Sequence, residues 1–91
     1  MYTSDKKIIE LIDILKSLGK ISNTSDFCKS IGFFKQNITR VKNGLTHFTP
    51  VHIEKICKFY DVDANWIMGF NANIFRKQVI NKTTISIDNT E

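Results

Sequence analysis

The sequence has two cysteines, one proline, four glycines, two histidines and no long apolar run, and each shortage removes a class of function. Cys28 and Cys57 are not joined in a CxxC motif, and both fall on apolar helical faces. They read as small core residues of a reducing, cytoplasmic protein rather than as a disulfide. His47 and His52 lack the spacing of paired metal ligands, and no carboxylate cluster accompanies them, so no metal and no cofactor is expected. Neither histidine has a carboxylate or nucleophile placed beside it in the sequence, so no catalytic residue is assigned and an enzyme is not expected. The four glycines all fall at helix ends and turns, which leaves no loop to cradle a phosphate. The longest apolar run is too short to cross a bilayer. No basic-then-apolar leader with a small-residue cleavage site opens the sequence, so nothing points to export.

What is present suits one small helical domain. Of the 91 residues, 42% are hydrophobic, enough for a single core at the small end of self-sufficient size. The net charge of +4 is modest, but it is unevenly spread. Residues 29 to 58 carry Lys29, Lys35, Arg40, Lys42, Lys55 and Lys58 against Glu54 alone, a local balance of +5, whereas residues 1 to 28 carry four charges of each sign. Between Phe34 and Phe48 there is no carboxylate at all. A positive field centred there is what binding a polyanion requires.

Apolar periodicity and capping residues divide the chain into five helices. Ser4 or Asp5 caps a first helix to about Leu18, with Ile8, Ile9, Leu11, Ile12, Ile14, Leu15 and Leu18 as its core stripe and Gly19 at its end. Asn23 caps a second, with Asp26 in its first turn and Phe27, Cys28 and Ile31 on one face. Gly32 ends it in the left-handed conformation that glycine adopts without steric cost, and Phe33 packs into the angle that follows. The third helix covers about Lys35 to Asn43, with Ile38 and Val41 inward and Asn43-Gly44 as its close. Thr49-Pro50 starts a fourth, to about Tyr60, that buries Ile53, Ile56, Cys57 and Tyr60. Asp63 caps a short fifth through Met68, with Trp66 and Ile67 as core and Gly69 at its end. This gives an all-α domain over 1–69 and a tail over 70–91. In the tail, Phe75 and Val79 have helical spacing, whereas Ile85 and Ile87 alternate as in a strand. One such segment makes no sheet alone, so the tail is expected to be disordered, or ordered by a partner or a second subunit.

The second and third helices form a helix-turn-helix pattern, whose second member enters the DNA major groove. Its outward side carries Lys35, Gln36, Asn37, Thr39, Arg40 and Lys42. Glutamine and asparagine can bind adenine through two hydrogen bonds, arginine and lysine can bind guanine, and flanking lysines can meet phosphates. Periodicity alone would serve a merely solvated helix equally well. The side-chain chemistry favours DNA.

The FCKSIG turn, the third helix ending in VKNG, the TP helix start and the VDANWIMG close together resemble the phage-repressor (Xre/Cro-type, lambda-repressor-like) helix-turn-helix family, from about Asn23 to Gly69. The resemblance implies a compact five-helix bundle with the third helix as recognition helix. It also implies a transcriptional regulator, in its simplest form a repressor, that binds operator DNA as a homodimer. By position, Lys35, Gln36 and Arg40 match base-contacting places, with Asn37 and Thr39 secondary. Thr24, Asn43, Thr46 and His47 match phosphate-contacting places, and Lys42 joins them on its chemistry. Two residues depart from the family pattern. Phe34 stands where Ser or Thr usually caps the recognition helix, at a cost of roughly 1 kcal/mol. It would pack instead on a sugar, a thymine methyl or the core. Phe48 replaces a small residue near the expected DNA surface. The same fold also serves as the antitoxin half of toxin–antitoxin pairs, and a tail over 70–91 that binds a partner protein is the alternative reading.

Overall fold

In the computed structural model of the chain, which describes residues 1–76, five helices follow one another: α1 Thr3–Ser17, α2 Thr24–Ile31, α3 Asn37–Lys42, α4 Pro50–Tyr60 and α5 Ala64–Ile67. α1 packs on α3 and α5, α2 packs on α4, and α4 packs on α5. The described residues contain no strand, only one isolated bridge, so the architecture is all-α. None of the described helices is long and apolar enough to cross a membrane.

The core stripe of α1 is Ile8, Leu11, Ile12 and Leu15, spaced i, i+3, i+4, i+7 as a buried helix face requires. Burying each such side chain contributes roughly 1.5–3 kcal/mol. Ile9 and Ile14 sit half-buried at its margins, and Leu18 is 54% exposed. The stripe therefore ends a turn earlier than expected, because Leu18 is the C-cap and the chain departs at Gly19. The N-terminus also differs. Tyr2, not Ser4 or Asp5, is the N-cap, because the Asp5 carboxylate turns back from the third helical position to accept the Tyr2 N–H at 3.3 Å.

α2 begins at Asn23, whose side chain accepts the Asp26 N–H at 2.9 Å. It ends at Gly32 with φ +72°, where Phe33 N–H bonds back to Cys28 O at 2.9 Å and Gly32 N–H to Lys29 O at 3.3 Å. This pair of bonds is the Schellman arrangement, and the left-handed residue it needs is glycine. The Lys55 ammonium, reaching over from α4, would lie 3.5 Å from a Cβ at Gly32. A cation is thus held at the negative end of α2.

α3 starts two residues later than periodicity implies. Lys35 and Gln36 form a turn in which Asn37 N–H bonds to Phe34 O (2.9 Å) and Ile38 N–H to Lys35 O (3.0 Å). These i→i−3 bonds satisfy N–H groups that a capping side chain would otherwise serve. Gln36, not Phe34, holds the N-cap position. Phe34 is 71% exposed, which removes the core as its packing partner, whereas Phe33 is buried.

Phe33 and Phe48 pack with ring centroids 4.5 Å apart and planes tilted by 31°, and the His52 ring meets Phe33 edge-on at 5.0 Å. Phe48 is therefore a core residue, only 5% exposed, and not part of an outer surface. α4 is peripheral: Ile56 is fully buried, while Ile53, Cys57 and Tyr60 are only half-buried. The Tyr60 hydroxyl and Ser30 Oγ, 2.6 Å apart, tie α4 to α2. Cys28 and Cys57 are both free, and burial pushes both thiols up from their ordinary range. α5 is capped by Asp63, whose side chain accepts the Asn65 N–H at 2.8 Å.

Gly69 ends α5 but not the folded unit. Residues 74 to 76 return along the link between α4 and α5, with an antiparallel bridge between Val62 and Phe75. Asp63 N–H donates to Ile74 O (2.7 Å) and Arg76 N–H to Asp61 O (2.9 Å). The Arg76 guanidinium donates to the Asp61 carboxylate through Nη2 (2.6 Å) and Nε (2.8 Å). Phe75 is thus paired as extended chain rather than in a helical turn. Val79 and the alternation at Ile85 and Ile87 lie outside the described residues.

Candidate nucleic-acid interface

Ile38 and Val41 fix α3 to the core, and the rest of its surface follows from that anchorage. Gln36, Thr39, Arg40 and Asn43 are exposed on the side that helical periodicity sets opposite this buried pair. Asn37 is half-buried on one flank, and Lys42 is exposed on the other. Lys35 is exposed in the turn that leads into the helix, close enough to Cys28 for its ammonium partly to offset the effect of burial on that thiol. Among the described residues, the side chains of Lys35, Gln36, Thr39, Arg40 and Lys42 make no hydrogen bond or ion pair. The exposed lysine of α4 differs: Lys58 meets Glu54 one turn away at 3.6 Å.

The flanking residues fall into two groups. Thr24, at the first position of α2, shares a small open groove of about 120 Å³ with Lys42 of α3 and with Asp13 and Lys16 of α1. Nothing in the sequence alone marks Lys16. Its i, i+3 pairing with Asp13 at 3.6 Å reads locally as an ordinary surface ion pair, and only the approach of α1 to α3 brings it beside Lys42.

Thr46 and His47 are half-buried in the loop before α4. His47 is held from within. Its Nδ1 lies 2.7 Å from Asp5 Oδ2, and its ring stacks on Tyr2 with centroids 3.8 Å apart and planes 8° from parallel. This corrects the expectation that neither histidine has a carboxylate beside it. Asp5, fully buried, also accepts the Phe48 N–H at 3.1 Å and the Tyr2 N–H at 3.3 Å. A carboxylate only accepts, so Nδ1 carries the hydrogen in this contact. Sequence spacing could not find this pairing, because Asp5 and His47 are 42 residues apart.

His52 is placed for structure. Its Nδ1 accepts the Thr49 N–H at 3.0 Å, and Thr49 Oγ1 accepts the His52 N–H at 3.5 Å, a reciprocal cap for α4. Burial, reinforced by the Lys55 ammonium, holds this imidazole below the ordinary value of 6.5. The neutral ring that results is the form that can accept at Nδ1. Among the described residues, no group of three or more His, Cys, Asp or Glu is arranged to hold a metal ion.

No family model, no curated protein and no solved structure matches this chain.

Proposed function

We propose that this protein is a sequence-specific regulator that binds double-stranded DNA through α3, with α2 and α3 acting as a helix-turn-helix of the phage-repressor type. One observation carries the reading. The exposed side of α3 and its leading turn displays two cations (Lys35 and Arg40) and one carboxamide (Gln36), all without partners among the described residues, and no carboxylate stands between residues 34 and 48. A helix face that serves only solubility commonly mixes both signs, as α4 does with Glu54 and Lys58.

In this reading, Lys35, Gln36 and Arg40 contact base edges, with Asn37 and Thr39 beside them. Lys42, Asn43, Thr24 and Thr46 hold the phosphate backbone, with His47 beside them in the loop before α4. Phosphate contacts set register and affinity, while base contacts set sequence. A two-fold dimer would place two copies of α3 roughly 34 Å apart, one turn of DNA. Occupancy of such an operator blocks transcription by exclusion, so repression is the simplest outcome.

The test is fluorescence anisotropy with a labelled duplex carrying a bound genomic site. Replacing Arg40 or Gln36 by alanine is expected to cost about 1–3 kcal/mol and relax preference at one base pair. Lys42→Ala is expected to weaken all sequences alike and to lower the slope of log K against log salt by about 0.9. Wild-type affinity retained by all three variants would remove α3 from the interface.

A further inference from the structure

Phe34 is one of several large apolar side chains left in solvent, and it stands immediately before Lys35 and Gln36. It is 71% exposed, although Phe33 beside it is buried and packed on Phe48. Its backbone is not loose. The Phe34 carbonyl accepts the Asn37 N–H at 2.9 Å, which fixes it as the first residue of the turn that opens α3. The ring therefore stands at the N-terminal end of the helix, one and two residues before the exposed Lys35 and Gln36. In a helix-turn-helix the N-terminal residues of this helix are the ones that contact base edges.

A benzyl side chain can neither donate nor accept a hydrogen bond to a base edge. Of the groups that base pairs present in the major groove, the one it complements is the C5-methyl of thymine; the others are hydrogen-bond donors and acceptors. Placing the ring against a donor or acceptor would strip that group of water with no replacement, which penalises non-thymine bases at the same step. We infer that Phe34 is a specificity-determining residue that reads a thymine methyl at the base pair next to those contacted by Lys35 and Gln36. This rests on the DNA-binding reading above and adds one base preference to it.

The experiment uses the full chain and a duplex selected by the wild-type protein from a random pool. Each thymine of the selected site is replaced in turn by deoxyuridine, which deletes the methyl and keeps every hydrogen-bonding group. At one thymine per half-site the wild type should bind about fourfold more weakly, the factor equivalent to ~0.8 kcal/mol for one buried carbon. The same replacement should leave Phe34→Ala unchanged, and Phe34→Leu should keep part of the preference. Because the ring is exposed, these variants are expected to fold as the wild type does, which their thermal unfolding checks. Equal deoxyuridine profiles for wild type and Phe34→Ala on an enriched site would overturn the role of Phe34 and leave DNA binding intact. Failure of the pool to yield any enriched site would overturn the DNA-binding reading itself, and this inference with it.

Discussion

Replacing Asp5 by alanine should damage this protein more than any surface change. The carboxylate is fully buried and accepts three hydrogen bonds, from the backbone N–H groups of Tyr2 (3.3 Å) and Phe48 (3.1 Å) and from His47 Nδ1 (2.7 Å). Hydrogen bonds to charged groups contribute about 1.5–3 kcal/mol each, and the long bond to Tyr2 belongs at or below the bottom of that range. Alanine also leaves the Phe48 N–H buried without a partner, so the expected loss is about 3–5 kcal/mol. That is a large share of the roughly 5–15 kcal/mol that folded domains possess. Asp5→Asn retains an acceptor for the Phe48 N–H, and its amide can donate to a His47 ring in the other tautomer, but it gives up the long Tyr2 N–H bond that shares Oδ2, so it should cost less than Asp5→Ala but not be neutral. Urea unfolding at neutral pH measures both, with the midpoint expected to fall at unchanged slope. The pairing supplies an internal control: His47→Ala should be costly alone and nearly free in the Asp5→Ala background. An Asp5→Ala loss below about 1 kcal/mol would mean that the three bonds contribute nothing beyond what water supplies, and the buried carboxylate would not be a structural anchor.

Further expectations concern the helix ends. The folded protein holds His52 below its ordinary value of 6.5, so the unfolded chain binds the extra proton first as pH falls. The stabilisation from the neutral ring is therefore fully present above about pH 6.5 and is lost on acidification. The gap in unfolding free energy between wild type and His52→Asn should narrow from pH 7.5 to pH 5, and a constant gap would contradict the Nδ1 cap. Gly32→Ala should cost roughly 1–2 kcal/mol in thermal or urea unfolding through its positive φ alone, since an added Cβ would meet only the Lys55 ammonium, at 3.5 Å. A neutral result there would mean that the turn between α2 and α3 can relax. Arg76→Ala should speed amide exchange at Asp63, whose N–H is bonded to Ile74, with less than about 1 kcal/mol lost globally from a half-exposed ion pair. Unchanged exchange would show that the backbone pairing holds without the guanidinium.

The features legible in the sequence are those written within a few residues of one another. Asn23 before Asp26, Gly32 after Ile31, Thr49 before Pro50 and Asp63 before Ala64 each announce a helix boundary through a bond that spans two or three positions. The exposure of Gln36, Thr39 and Arg40 follows in the same way from the burial of Ile38 and Val41. What escaped is long-range. Asp5 has the local appearance of a helix cap, and only the approach of the α3–α4 loop turns it into the partner of His47 and Phe48. Phe48 has the appearance of an exposed loop aromatic until Phe33 is brought against it. The return of residues 74 to 76 depends on Asp61, fifteen residues earlier than Arg76, and no periodicity encodes that. The start of α3 is hidden for a different reason: a turn of i→i−3 bonds at Lys35 and Gln36 continues the helical path without belonging to the α-helix.

Selection of bound duplexes from a random pool by the full chain tests the assignment of α3 as the reading edge most directly. One enriched motif is predicted, two-fold symmetric with half-sites one DNA turn apart, and its preference should collapse at a single base pair per half-site in Arg40→Ala. A pool that stays random after repeated rounds, with any retention independent of sequence, would contradict it.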